Sequence, residues 1–306
     1  MIIQAEKKEK KIFLILCVMR SGSTYLTTLL NKFPEISSDY EFQWKPTFRT
    51  FTNLHKIIPS FRADVKVMME KSFEDKNTPI IGSKVVFSGS RKYSRLDFTD
   101  LGIAINKDIK IIYLKRRPKD IVLSMIKNQG HNIKKTSDFS KEKNIILESI
   151  KDDNIENQSL KKFEFNINIL INNFLAIKQN QKNIKKFCEK HKNYIEIKYE
   201  DINENLIDIS KFLGSDNNKG AIDEIIKKAP IIKNEFIDLS EICKNHNEVN
   251  FLLDSLEQGN FFKYFTKFLL YYKLRLPFKI FSYFKWKIIN FLNQHRIRRR
   301  LLKYFS

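Results

Sequence analysis

The sequence predicts an α/β fold, a mostly parallel sheet with helices on both faces, and two observations carry that expectation. Residues 12–18 (IFLILCV) form an unbroken apolar run, long enough for a strand buried on both faces and too short for a membrane span. Further strand-like runs follow at 79–87, 108–114 and 193–199, with helix-periodic stretches between them.

The first run passes directly into Arg20-Ser21-Gly22-Ser23-Thr24. Beyond it Leu26, Leu29, Leu30 and Phe33 recur at i, i+3, i+4 and i+7, one apolar face of a helix that stops before Pro34. A helix N-terminus offers unpaired N–H groups and a partial positive charge, and a glycine lets backbone wrap closely around an anion. Arg20 adds a full charge and Ser21, Ser23 and Thr24 add hydroxyls, so a phosphate fits this turn. The plainer alternative is an ordinary strand-to-helix turn with serine as N-cap. The nucleotide triphosphatase loop G-x-x-x-x-G-K-[ST] is absent, since no lysine follows Gly22.

Glu41 lies in the polar stretch beyond Pro34. The strand at 79–87 contains Lys84, which could point from the strand end at a cofactor or substrate, although a strand-end lysine is ordinarily solvated. The strand at 108–114 runs into Lys115-Arg116-Arg117-Pro118-Lys119-Asp120, where proline and then aspartate mark the start of a helix carrying Ile121, Val122 and Met125. Residues 130–159 are polar and lysine-rich and read as a loop or cover. Phe163, Ile167, Leu170, Phe174, Ile177, Ile184 and Cys188 then make a helical stripe broken only at Gln181. Ile171, Leu175 and Phe187 widen it beyond a coiled-coil seam, so it should face a core. After the strand at 193–199, Asp201 and Glu204 are spaced as a capping box for a helix ending near Leu213 and Gly214.

The composition limits the partners. The chain has 306 residues and a formal charge of +21, which attracts anions: a nucleotide, a nucleic acid, an anionic lipid surface or an acidic glycan. Residues 261–306 hold twelve Lys and Arg and no Asp or Glu, so more than half of the excess belongs to the tail. Cys17, Cys188 and Cys243 share no metal-ligand or disulfide spacing, and no His/Asp/Cys cluster implies a metal. The N-terminus, charged at once, has no signal-like apolar region, and the expected compartment is the cytoplasm.

The segment MRSGSTYLTTLLNKFPEISSDYEF resembles the 5′-phosphosulfate-binding segment of sulfotransferases that use 3′-phosphoadenosine-5′-phosphosulfate (PAPS), and is similar to that of the bacterial carbohydrate, nodulation-factor type. In that family an arginine at a strand end and a serine eight residues later grip the 3′-phosphate, and Arg116 and Ser124 match that spacing, with Pro118 in its usual place. The triplet Tyr199-Glu200-Asp201 and residues 233–256 resemble further family segments, the triplet being read as structural. The resemblance implies a P-loop-like sheet, PAPS as co-substrate with adenosine 3′,5′-bisphosphate (PAP) as product, and cofactor contacts from Arg20, Ser21, Gly22, Ser23, Thr24, Tyr25, Arg116 and Ser124. Catalysis falls to Arg20 and to Glu41, which matches the family's general base, and no metal is implied. His55, His131, His191, His246 and His295 are alternative bases. The implied acceptor is a hydroxyl of a glycan, lipid-linked saccharide or small metabolite. A nucleotide-dependent phosphotransferase is the alternative enzyme, but the loop lysine and an evident magnesium aspartate are missing. A nucleic-acid-binding protein is the other alternative, but basic and aromatic residues interleave only in the tail and no recognised module is present, so no nucleic acid is expected.

The resemblance ends near residue 260, dividing the chain into a catalytic domain (1–260) and a basic aromatic helical tail (261–306). The tail holds fifteen aromatic residues, and Phe281, Phe284, Ile288, Phe291 and Leu292 share one helical face, followed by Arg296, Arg298, Arg299 and Arg300. An interfacial helix on an anionic membrane is built this way. Packing of the tail on the catalytic domain is the alternative, since Ile280, Tyr283 and Trp286 make it apolar on other sides too.

Overall fold

The structure, a computed structural model, describes residues 9–39, 41, 54, 57–58, 60, 62–87, 103–135, 165–215, 219–227 and 239–258, with backbone alone at 103, 127–135, 168, 219 and 241–242. A five-stranded sheet of order β2-β4-β1-β6-β7 forms the centre, built from β1 (Lys11–Val18), β2 (Ile36–Asp39), β4 (Ile80–Phe87), β6 (Lys110–Lys115) and β7 (Tyr194–Lys198). All of its pairings are parallel, with Phe13 opposite both Gly82 and Lys110 across the two neighbours of β1. A second, two-residue pairing joins β3 (Ala63–Asp64) to β5 (Ile103–Ala104).

β1 takes the central place because it is apolar throughout, and strand alternation sends its side chains into two cores. Ile12, Leu14, Leu16 and Val18 meet α2 (Val65–Ser72), α3 (Pro118–Lys135), α4 (Ile167–His191), α7 (Leu239–Ile242) and α8 (His246–Glu257). Phe13, Ile15 and Cys17 meet α1 (Ser23–Leu30), α5 (Leu206–Leu213) and α6 (Lys219–Lys227). Each such fully buried large apolar side chain contributes about 1.5–3 kcal/mol relative to exposure. The α4 stripe is core as expected: Leu170, Phe174, Ile177, Ile184 and Cys188 are all buried against the sheet.

Several expectations are corrected. The helix after β6 does not give way to a loop at residue 130 but continues through Gly130 to Lys135. One interior glycine costs about 1 kcal/mol in a helix, too little to end this one. The capping box at Asp201 and Glu204 does not form. Tyr199–Asp201 instead make a short 3-10 turn, Asn205 occupies the cap position of α5 without a side-chain cap bond, and Asn205 Nδ2 donates to the Asp201 carbonyl at 2.8 Å. The far end is as expected, with Gly214 closing α5 at φ 88°. β2 and α2 were not legible in the sequence. The segment ISSD has one large apolar residue, yet its strand is placed by pairing with β4 and by Asn31, whose side chain bonds both the Ser38 N–H and its carbonyl at 2.6 Å. The tail at 261–306, the remainder of the 136–159 cover and the start of the stripe at Phe163 lie outside the described residues. Among the described residues no helix is long and apolar enough to cross a membrane.

Candidate active site

β1 and β6 are adjacent and parallel, but α1 leaves β1 onto one face of the sheet while α3 leaves β6 onto the other. Helices diverging from neighbouring strands open a crevice at the strands' carboxyl ends, the usual ligand position in open α/β sheets. Both segments singled out in the sequence open into it.

In the loop after β1, Arg20 (φ 64°) and Gly22 (φ 85°) both adopt the left-handed region, and the Ser21 N–H turns back to the Val18 carbonyl at 3.2 Å. Holding a non-glycine residue there costs of order 1–3 kcal/mol, a strain typical of functional sites. Gly22 is required twice over: its φ is positive, and a Cβ would lie 2.1 Å from Cδ2 of Tyr199. The cap of α1 is Gly22 with no side-chain cap bond, so the serine N-cap alternative is overturned. The N–H groups of Ser23, Thr24 and Tyr25, in the first turn, have no intrahelical acceptor and lie at the positive end of α1. Ser21 Oγ is fully buried and has no hydrogen-bond partner among the described residues.

The loop after β6 completes the crevice. The Arg116 guanidinium stacks 4.2 Å from the Tyr199 ring centroid, and its Nη1 donates to the Arg20 carbonyl at 3.0 Å. Arg20 Nε donates to Ser124 Oγ at 3.3 Å, and the Gln181 amide donates to the Arg116 carbonyl at 2.6 Å. The two loops, about a hundred residues apart in the chain, are thus one bonded unit. Nearby cations are matched: Arg117 Nε binds Asp120 at 2.7 Å, and Lys115 binds Glu196 at 3.3 Å. Among the described residues neither Arg20 nor Arg116 has a carboxylate partner. Burial, and then the charge of Arg116, make Arg20 hold its proton less tightly than an arginine in water. An anion bound between two such guanidiniums relieves their repulsion, and the fork geometry of arginine suits phosphate oxygens.

On the opposite side of the loop, Lys84 is not solvated as its strand position implied. It is 4% exposed, and its ammonium donates to Thr24 Oγ1 at 3.0 Å. Glu41, half-buried, follows the end of β2 by two residues. Burial pushes the Cys17 thiol up to about 11, with Ser23 and Lys84 opposing the rise and Glu41 adding to it. Lys84 and Glu41 are therefore both within electrostatic reach of the carboxyl end of β1.

The described histidines are engaged elsewhere. His191 Nε2 is 2.7 Å from the Ile109 carbonyl, at the opposite end of β6, and His246 Nδ1 is 3.3 Å from the Cys243 carbonyl. His55 and His295 lie outside the described residues, and for His131 only the backbone is described.

The structure thus brings together Arg20, Ser21, Gly22, Ser23, Thr24, Arg116 and Ser124. The Tyr25 side chain turns away, its hydroxyl donating to Asn203 Oδ1 at 2.7 Å, so only its backbone N–H serves the loop. Sequence reasoning missed Tyr199 as part of the site, having read its triplet as structural. The ring packs under both loops, and the desolvation this entails raises its hydroxyl's proton affinity.

Residues 10–234 match the family model of the sulfotransferase domain. A search of curated protein sequences finds no match. Solved structures with similarity include a sulfotransferase from Alicyclobacillus acidocaldarius (15% identity, 80% of this chain and 91% of that one, TM-score 0.43). A mouse sulfotransferase complexed with PAP (16% identity, 79% and 74%, TM-score 0.42) is another. The sulfotransferase domain of the Synechococcus PCC 7002 olefin synthase (16% identity, 78% and 89%, TM-score 0.39) is a third.

Proposed function

The chain belongs to the sulfotransferase family, and on that premise we propose that it transfers the sulfuryl group of PAPS to an acceptor hydroxyl. The observation that carries this is the bonded pair of Arg20 and Arg116, joined from two loops at the carboxyl ends of β1 and β6 with no carboxylate partner among the described residues. The donor set fits an anionic co-substrate with two phosphate groups: one end of the crevice offers the strained loop and the α1 N-terminus, the other offers Arg116 and Ser124.

PAPS, when bound, supplies an activated sulfuryl group whose leaving group is a phosphate. Arg20 and the first-turn amides of α1 are placed to stabilise charge as it develops on that phosphate, and the Lys84 ammonium at Thr24 adds to the same field. Glu41 takes the proton from the acceptor oxygen as that oxygen bonds to sulfur and the bond from sulfur to the phosphate oxygen breaks. Arg116, stacked on Tyr199, holds the 3′-phosphate and so fixes the nucleotide in line.

Arg116→Ala removes a charge-assisted contact, and PAP affinity measured by calorimetry should fall about ten- to a hundredfold, or roughly 1.5–3 kcal/mol. Unchanged affinity would overturn the site. A thermal melt gives the companion result: PAP should raise the midpoint, and ATP with magnesium should not.

The acceptor belongs to the same proposal. The sequence resemblance to bacterial carbohydrate enzymes supports a glycan or lipid-linked saccharide, identifiable by mass analysis after incubation of extracts with radiolabelled PAPS. The composition of 261–306 supports a peripheral site of action on an anionic, cytoplasmic membrane face. Sedimentation with anionic liposomes should be strong, salt-sensitive and lost on truncation after Gly259. Equal sedimentation of the truncated protein, or its failure to fold, would assign the tail to packing on the catalytic domain.

A further inference from the structure

Gln181 is the one polar interruption of the apolar stripe of α4, and the structure gives it a task. The loop between β6 and α3 has only two residues. Ladder pairing of β6 ends at Lys115, opposite Lys198, and the first carbonyl that α3 uses is that of Arg117, accepting from the Ile121 N–H at 3.1 Å. The Arg116 carbonyl therefore falls between strand and helix with neither element to satisfy it. Gln181, 8% exposed and about four turns along a helix packed on the sheet, delivers its amide to that carbonyl at 2.6 Å. Its own main chain is tied to the same strand, because the buried Tyr113 hydroxyl donates to the Gln181 carbonyl at 3.2 Å. A long polar side chain buried in a core is costly unless bonded, and this bond ends on the residue whose guanidinium stacks on Tyr199 and reaches Arg20.

We propose that Gln181 is a positioning residue for the 3′-phosphate: it fixes the Arg116 peptide so that the guanidinium is held ready against Tyr199 before the nucleotide arrives. The inference rests on the assignment of Arg116 to that phosphate. Binding by a preset arginine avoids the entropy of ordering it, so loss of Gln181 should be felt by ligands with a 3′-phosphate and not by those without one.

The test is calorimetry of the full chain with PAP and with adenosine 5′-phosphosulfate, which lacks the 3′-phosphate. Gln181→Met, similar in length but without a donor, should weaken PAP by about tenfold and leave adenosine 5′-phosphosulfate unchanged. In an Arg116→Ala background the same substitution should have no further effect on PAP. Tyr113→Phe serves as the comparison: it loosens α4 from β6 but keeps the Gln181 amide, so it should lower the melting temperature while weakening PAP far less than Gln181→Met does. Equal weakening of both ligands by Gln181→Met, or additivity with Arg116→Ala, would overturn the proposal in favour of a purely structural glutamine. If Arg116→Ala itself leaves PAP affinity unchanged, the phosphate assignment fails, and with it the premise, which is a different result from either. Should Gln181→Met not fold, Gln181→Asn, which keeps the amide but shortens its reach, is read by the same two ligands and the same background.

Discussion

Arg20→Ala is expected to lower kcat by about 10²–10³-fold, the usual cost of removing one preorganised donor from developing transition-state charge. The Arg20 side chain is exposed and lies beside the like charge of Arg116, so a nucleotide that covers it both relieves that repulsion and removes the water that screens it. The main-chain carbonyl that Arg116 grips survives any substitution at this position, so Arg116 itself should stay placed. Backbone strain can be separated from chemistry with Arg20→Gly. Glycine accepts a φ of 64° without cost, so this variant should melt no lower than the parent while being as slow as the alanine variant. Steady-state turnover with a fixed acceptor and a thermal melt on each variant decide the matter. A kcat for Arg20→Ala within about threefold of the parent would remove Arg20 from the chemistry.

Glu41→Gln should reduce turnover by about a hundredfold or more, the scale of a lost general base, while PAP affinity stays within about twofold. The substitution preserves size and hydrogen-bonding capacity but not the ability to take a proton. Glu41 follows β2, which lies across β4 and β1 from β6 in the sheet, whereas Arg116 and Ser124 follow β6. Cofactor binding and proton removal should therefore separate cleanly in calorimetry and turnover. Retained turnover would pass the role to another group or to the acidity of the acceptor itself. Of the alternative bases, His191 and His246 are already bonded to main-chain carbonyls, so they are poor substitutes.

Much of the scaffold could be read directly from residue order. The central strand followed from seven consecutive apolar residues, α1 from its i, i+3, i+4 spacing, the start of α3 from Pro118, and the end of α5 from Gly214. Each of these signals is local, a matter of which neighbours a residue has within a turn or two. β2 escaped notice because an edge strand of four residues needs only one partner, and ISSD has almost no apolar pattern. Between the two readings of Lys84 the sequence could not choose for a related reason: its burial comes from its contact with Thr24 of α1, not from anything within GSKVV.

The sequence by itself determined the fold class and the two basic loops proposed to bind phosphate, because strand burial, helix periodicity and glycine-bearing turns are written in short stretches of chain. Only the tertiary structure decided that Arg20 and Arg116 are bonded to one another, that Tyr199 lies beneath both and that Gln181 holds the second. Those contacts depend on β6 lying beside β1 and on α1 and α3 leaving over opposite faces, and strand order is set by the burial of whole layers, which no short stretch of sequence records.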